Sequence, residues 1–207
     1  MSPRFFSRVA TVAKTKDSLP HWDQSGCACF VTWRTADSIP QSRLAEIRAE
    51  REAFDLAHPQ PWDESVWQEH SRLFEGRYQR WLDEGAGACV LRKAEVRLAV
   101  ERTIFRFNRI RYVIYACVVM PNHVHVLFMP FKGVEIPSLL KAWKGVSARE
   151  INRLTENDGS FWQGESWDHL VRSAKQFDRY RAYIRANDPA LAYDAYREQE
   201  EDKGCLP

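Results

Sequence analysis

Two apolar runs lying almost end to end constrain this chain more than any other feature. Tyr112-Val-Ile-Tyr-Ala-Cys-Val-Val is a near-continuous β-branched and aromatic run, and Pro121-Asn122 halts it. His123-Val-His-Val-Leu-Phe-Met follows at once, alternating polar and apolar at its start and ending at Pro130. Residues of these types favour a pleated, buried surface, so the pair reads as two strands joined by a very short connection. An earlier run, Cys27 to Thr35, has the same character and reads as the first strand of the sheet.

The rest of the chain has the helical period. A helix from an N-cap at Ser42 to about Leu56 is expected, broken by His58-Pro-Gln-Pro-Trp. A second spans 65–83, with Trp67, Phe74, Tyr78 and Trp81 on one side and Gly85-Ala-Gly after it. A third runs from Val90 to Phe107 and buries Leu91, Ala94, Leu98 and Phe105. A fourth runs from Pro137 to about Leu154 with Leu140, Trp143 and Val146 inward. Phe161-Trp-Gln is a short strand or turn, continued by Leu170-Val-Arg, and a last helix covers Lys175 to Ala186, stopping near Pro189. Strands interleaved with long helices argue for an α+β sandwich. At 207 residues the chain fits one domain. The expected division is a polar, weakly structured tail over 1–20, a single domain over 21–190 with a helical insertion at 41–88, and an acidic tail over 191–207 containing Asp194, Glu198, Glu200, Glu201 and Asp202.

Several function classes drop out. Lys and Arg number 30 against 28 Asp and Glu, so any nucleic-acid-binding charge is local rather than a global coat. The longest apolar run, Tyr112 to Met120, is far short of the ~20 residues that span a bilayer, and the N-terminus has no sustained apolar stretch, so neither a membrane span nor a signal peptide is expected. Cysteines at 27, 29, 89, 117 and 205 are odd in number, and Cys27-x-Cys29 lacks the spacing and the second pair of a zinc site. They read as small buried hydrophobes in a cytoplasmic protein.

Chemistry concentrates at Met120-Pro-Asn-His-Val-His-Val-Leu. In a strand, residues i and i+2 share a face, so His123 and His125 point the same way. Neutral imidazoles side by side suit a divalent metal; the bland alternative is two polar residues on the wet face of an edge strand.

Val119-Met-Pro-Asn-His-Val-His-Val-Leu resembles the His-hydrophobic-His motif of the REP-associated tyrosine transposases, within the single-tyrosine HUH transposases. Phe30-Val-Thr-Trp-Arg-Thr-Ala-Asp-Ser-Ile-Pro, Ala142-Trp-Lys-Gly, Phe161-Trp-Gln-Gly-Glu-Ser-Trp-Asp-His-Leu-Val-Arg and Tyr183-Ile-Arg-Ala-Asn187 are similar to further stretches of that family. The order and spacing of the pieces carry the resemblance, which covers about 21–40 and 89–190. It implies an α+β, ferredoxin-like antiparallel sheet with helices on one or both faces. It also implies that His123 and His125 bind Mg²⁺ or Mn²⁺ with a third, amide or acidic ligand, and that a tyrosine on a later helix attacks the DNA backbone.

Tyr183 and Asn187 lie four apart, on one helical face, so hydroxyl and amide could reach one phosphate. Tyr180 competes for the role, but four residues beyond it stands Ile184, which cannot bind metal; Phe177, Tyr180 and Ile184 form the expected core stripe. Tyr183 is therefore the expected nucleophile and Asn187 the third ligand. The family pattern has Pro directly after Asn, whereas here Asp188 intervenes and becomes a rival oxygen ligand.

The implied partner is single-stranded or hairpin DNA, in the cytoplasm at the nucleoid, with the protein a monomer or homodimer. Two basic clusters are candidates for phosphate contact, each with a solvated surface as the alternative. One comprises Arg92, Lys93, Arg97, Arg102, Arg106, Arg109 and Arg111; the other comprises Arg172, Lys175, Arg179, Arg181 and Arg185 around the nucleophile. Lys144, Arg172, Arg179 and Arg185 are the specific choices. Trp162, Trp167 and His169 suit stacking on bases and equally suit a core. Two rival functions share these residues: a non-catalytic DNA-binding protein, and a metal phosphoesterase using water.

Overall fold

The computed structural model of the chain describes residues 1–7, 13–16, 20–24, 26–59, 62–164 and 166–196. Cys205 and the acidic run from Glu198 onward lie outside them. A small hairpin, β1 (Ala13–Lys16) with β2 (Pro20–Asp23), forms a two-stranded sheet of its own. The main strands are β3 (Cys29–Arg34), β4 (Tyr112–Val119), β5 (His123–Pro130), β6 (Trp167–Leu170) and the short β7 (Tyr193–Asp194). Their order across the sheet is β6-β3-β5-β4-β7, with every pairing antiparallel. Leaving out β7, strands in chain order 1, 2, 3, 4 lie as 4-1-3-2, the ferredoxin-like arrangement.

Helices α1 (Gln41–Ala57), α2 (Glu64–His70) and α3 (Gly76–Asp83) occupy the connection after β3, and a π-helical turn over Ser71–Glu75 joins α2 to α3. Next comes α4 (Ala94–Phe105); α5 (Ile136–Thr155) crosses from β5 to β6, and α6 (Ala174–Asn187) follows β6. The sheet is covered on both faces. On one, Val31, Trp33, Val124, Val126 and Phe128 pack under Val96, Val100 and Ile104 of α4 and Leu140, Trp143 and Ile151 of α5. On the other, Phe30, Val118, Leu127 and Met129 pack under Phe177, Tyr180 and Ile184 of α6. A register shift between Ile114 and Ala116 lets Tyr115 and Ala116 both face α6, as a β-bulge does.

Several expectations need correcting. The first helix starts at Gln41, after an extended Pro40 and with no side-chain cap, so Ser42 is not its N-cap. Ala94 and Leu98 are exposed, and Val96, Ala99, Val100 and Ile104 form the buried face of α4. A 3-10 turn over Val90–Arg92 precedes an extended Lys93, and this break resets the helical phase that Leu91 would have propagated. Val146 is exposed; Ser147 takes the inward position, where its hydroxyl donates to the Trp143 carbonyl at 2.6 Å and accepts from Trp162 Nε1 at 2.9 Å. Trp162 is thereby a buried core residue and not a base-stacking platform. The N-terminal segment is tied down: the Ala28 amide donates to the Arg4 carbonyl at 2.7 Å and the Phe6 amide to the Val171 carbonyl at 2.8 Å. Asp194 is buried rather than solvated and holds Arg181 in a bidentate pair, with both Nη2 contacts at 2.9 Å. Cys27, Cys29, Cys89 and Cys117 are free thiols and buried, as expected of small hydrophobes.

Candidate active site

The histidine strand is central, not an edge: β5 lies between β3 and β4. His123 and His125 share the face toward α6, and each is at most 1% exposed. The wet-edge alternative is thus wrong. Their cross-strand partners on β3 are Arg34 and Thr32. The turn Pro121-Asn122 is pinned from three sides: the Met120 amide donates to the His123 carbonyl at 2.9 Å, the Thr35 amide to the Asn122 carbonyl at 2.8 Å, and the Leu91 amide to the Pro121 carbonyl at 3.2 Å.

A chain of hydrogen bonds fixes the ring nitrogens. The Asn122 amide nitrogen donates to the Ala86 carbonyl at 2.9 Å, leaving its oxygen to accept from His123 Nδ1 at 2.8 Å. His123 Nε2 then carries a lone pair, and it lies 3.0 Å from His125 Nε2, which donates to it. His125 Nδ1 in turn accepts from the Thr32 hydroxyl at 2.7 Å. Burial holds the His123 imidazole down to about 3 and His125 well below its ordinary range, with the neighbouring His123 adding to the effect on His125. Both rings are therefore neutral at physiological pH, the form that ligates metals. Rotation of the Thr32 hydroxyl would let His125 move its proton to Nδ1 and free Nε2 as well. Oriented, neutral nitrogens 3.0 Å apart with partners on their far sides fit a divalent ion.

The tyrosine helix starts cleanly. Ser173 caps it by accepting from the Gln176 amide at 3.2 Å, while the Gln176 side chain accepts from the Arg172 amide at 2.7 Å. Phe177, Tyr180 and Ile184 are buried along one stripe, as the spacing requires, and Tyr180 stacks on Phe30 with centroids 4.3 Å apart. Tyr183 falls on the neighbouring face. Its hydroxyl lies 3.4 Å from His125 Nε2 and donates to Gln79 Oε1 at 3.2 Å. Burial pushes the phenol up to about 12; the Asp83 charge acts in the same direction and the Asn187 side chain in the other.

Asn187 donates through Nδ2 to the Tyr183 carbonyl at 2.9 Å, so its side chain folds back along the helix. Asp188 uses Oδ1 to accept from the Ala190 and Leu191 amides at 3.0 and 3.2 Å, which ends the helix ahead of Pro189. Of the basic candidates, Arg172 and Arg179 are exposed beside or on α6, and Arg185 approaches Asp194 at 3.7 Å. Lys144 is on α5, across the sheet from the histidines, and donates to the Gly164 carbonyl at 2.6 Å. Arg181 is occupied by Asp194, and Arg97 and Arg102 of the first basic cluster are on α4, which covers the far face. Trp167 and His169 stack on each other, centroids 5.6 Å apart, with Trp167 also against Phe30.

Four polar contributors escaped the sequence reading. Thr32 and Asn122 lie within the stretches that carry the resemblance, and cross-strand register alone gives them their role. Gln79 and Asp83 come from α3, in the insertion, where no motif marks them. Asp83 Oδ1 is 3.9 Å from His123 Nε2, and burial raises its carboxyl above the usual range. Tyr78, on the same helix, accepts from Arg34 Nε at 2.6 Å. Among the described residues, no three His, Cys, Asp or Glu side chains already stand together as a ligand cluster.

Comparison with known proteins adds a family. Residues 92–187, which hold the histidine strand and the tyrosine helix, match the model of the family described as transposase, IS200-like. Over this segment, a little under half of its length, the chain is similar to the IS200-like transposases. Two solved structures are similar to it. One is described as a REP-associated tyrosine transposase bound to a REP hairpin, at 15% identity and TM-score 0.47, covering 93% of this chain and 89% of the other. The other is a putative transposase from Deinococcus radiodurans R1, at 19% identity and TM-score 0.36, covering 80% and 93%. No curated protein matches the chain.

Proposed function

We propose that this protein is a metal-dependent endonuclease and strand transferase acting on single-stranded, hairpin-forming DNA, of the REP-associated type that its motifs resemble. The observation that carries the reading is the placement of the Tyr183 hydroxyl 3.4 Å from His125 Nε2, itself 3.0 Å from His123 Nε2. A nucleophile and two neutral metal-ligating nitrogens converge on one buried spot.

The reaction is a transesterification. Tyr183 Oη attacks phosphorus; the bond from phosphorus to the leaving 3′ oxygen breaks, and that oxygen takes up a proton as a free hydroxyl. The 5′ phosphate remains on the tyrosine, and the retained ester energy lets a second strand end reverse the step without ATP. With its phenol at about 12, Tyr183 is almost wholly protonated at neutral pH. Mg²⁺ or Mn²⁺, held by His123 and His125 with Asn187 or an acidic side chain, would polarise the phosphate and favour the phenolate. The protein orients the attack: Phe30 and the buried stripe of α6 fix the helix, and Gln79 holds the hydroxyl.

Cleavage of labelled single-stranded hairpin oligonucleotides, with and without Mn²⁺, tests the reading. The wild-type chain should cleave only with the ion, and a His123→Ala/His125→Ala variant should not cleave. Cleavage by that variant at the wild-type rate would remove the metal site from the mechanism.

A further inference from the structure

Helix α3 belongs to the connection that the resemblance leaves unassigned, yet three contacts place it over the site. Tyr78 accepts from buried Arg34, the strand partner of His123. Gln79 accepts from the Tyr183 hydroxyl, and Asp83, one turn on, brings Oδ1 to 3.9 Å from His123 Nε2. The placement is built in: Leu82, between them in sequence, is 1% exposed and packs with Ile39 and Leu44 to hold the helix down.

We infer that Asp83 supplies the third, carboxylate ligand of the divalent ion that His123 and His125 bind, making the helical insertion part of the catalytic centre. The inference rests on the metal-dependent reading above. A small hard cation prefers anionic oxygen to an amide, and Asp83 is the carboxylate that approaches the histidine pair. Asn187, the other candidate, commits its Nδ2 to the Tyr183 carbonyl and offers only a neutral amide oxygen, and Asp188 has Oδ1 on two backbone amides at the helix end. The Asp83 side chain keeps 44% of its surface exposed, so it has room to close the short remaining gap. A carboxylate beside the imidazole pair also gives Gln79, one turn earlier on the same helix face, a reason to hold the nucleophile: one helix would then set both the ion and the tyrosine.

Mn²⁺ titration of the full-length protein, read by the loss of free-ion electron paramagnetic resonance signal, tests this without substrate. Asp83→Asn should weaken Mn²⁺ binding by about tenfold or more. Glu84→Gln, which removes a neighbouring charge that pairs with Arg43 instead, should leave it within about twofold. Wild-type affinity in Asp83→Asn, with binding lost in the double histidine variant, overturns the role of Asp83 and leaves the histidine site standing. Equal losses in Asp83→Asn and Glu84→Gln also overturn it, because a general field would then be the cause. Wild-type affinity in the double histidine variant would contradict the metal-site reading itself.

Discussion

At the scale of single residues, the site is a relay of hydrogen bonds in which each member fixes what the next can donate or accept. Thr32 is the least conspicuous of them and one of the most informative to change. Its hydroxyl, buried at 2% exposure, faces His125 Nδ1 and can either donate to the ring or accept from it. Thr32→Val keeps the shape and removes that choice. It should lower Mn²⁺ affinity by roughly 10- to 100-fold, as loss of an outer partner does. It should also cost about 1–3 kcal/mol in denaturant unfolding by stranding a buried nitrogen. Unchanged Mn²⁺ affinity would mean that the hydroxyl does not orient the ring. Thr32 also shows what sequence could not reveal: a threonine in a buried β-branched strand looks like packing, and only the β3–β5 register sets it opposite His125.

At the scale of elements, the strands, the tyrosine helix and its buried stripe were legible because their patterns are local. Phase errors arose where the backbone breaks period, as at Lys93 before α4. The role of α3 was not legible at all, because its polar face acquires meaning only by docking across the sheet. Leu82→Ala tests that docking. Removing a buried leucine costs about 2–5 kcal/mol. Because its neighbours are Ile39, Leu44, Tyr78 and Trp81, the cost should fall on the insertion. Amide hydrogen exchange should accelerate in α1 and α3 and stay slow in β4 and β5. Uniform acceleration throughout the sheet would show that the insertion and the core unfold as one unit.

At the scale of the whole molecule, buried neutral histidines set the dependence of stability on pH. His70 and His169 are held down to about 4 and His123 to about 3, chiefly by burial, and His125 also lies well below its ordinary range. Each is depressed in the folded state, so below the unfolded value of ~6.5 the unfolded chain binds more protons and stability falls with pH. The loss should begin near pH 6.5 and continue toward pH 3–4, at up to about 1.4 kcal/mol per pH unit for each such histidine. Denaturant midpoints measured across that window should show the slope, and His70→Phe should shallow it; a flat profile would mean that the rings are protonated in the fold.

The charge that serves DNA should be on the α6 side. Neutralising Arg172, Arg179 and Arg185 together should reduce the log–log salt dependence of single-strand binding by about 0.7 for each phosphate they neutralise. An unchanged slope would assign them to the solvated surface. The ferredoxin-like order of strands could be anticipated from the paired runs and the resemblance, whereas the burial of the histidines beneath α3 and α6 depended on long-range packing that no single stretch encodes.

The measurement that reaches the central claim most directly is the location of a covalent DNA adduct. Wild-type protein, incubated with Mn²⁺ and a single-stranded hairpin oligonucleotide, then denatured and digested, should yield one nucleotide-bearing peptide containing Tyr183. Tyr183→Phe should give neither adduct nor cleavage, while Tyr180→Phe, which alters a residue stacked on Phe30 away from the hydroxyl relay, should retain the adduct. An adduct on Tyr180, or cleavage by Tyr183→Phe with no adduct, would contradict the account, the second by making water the nucleophile.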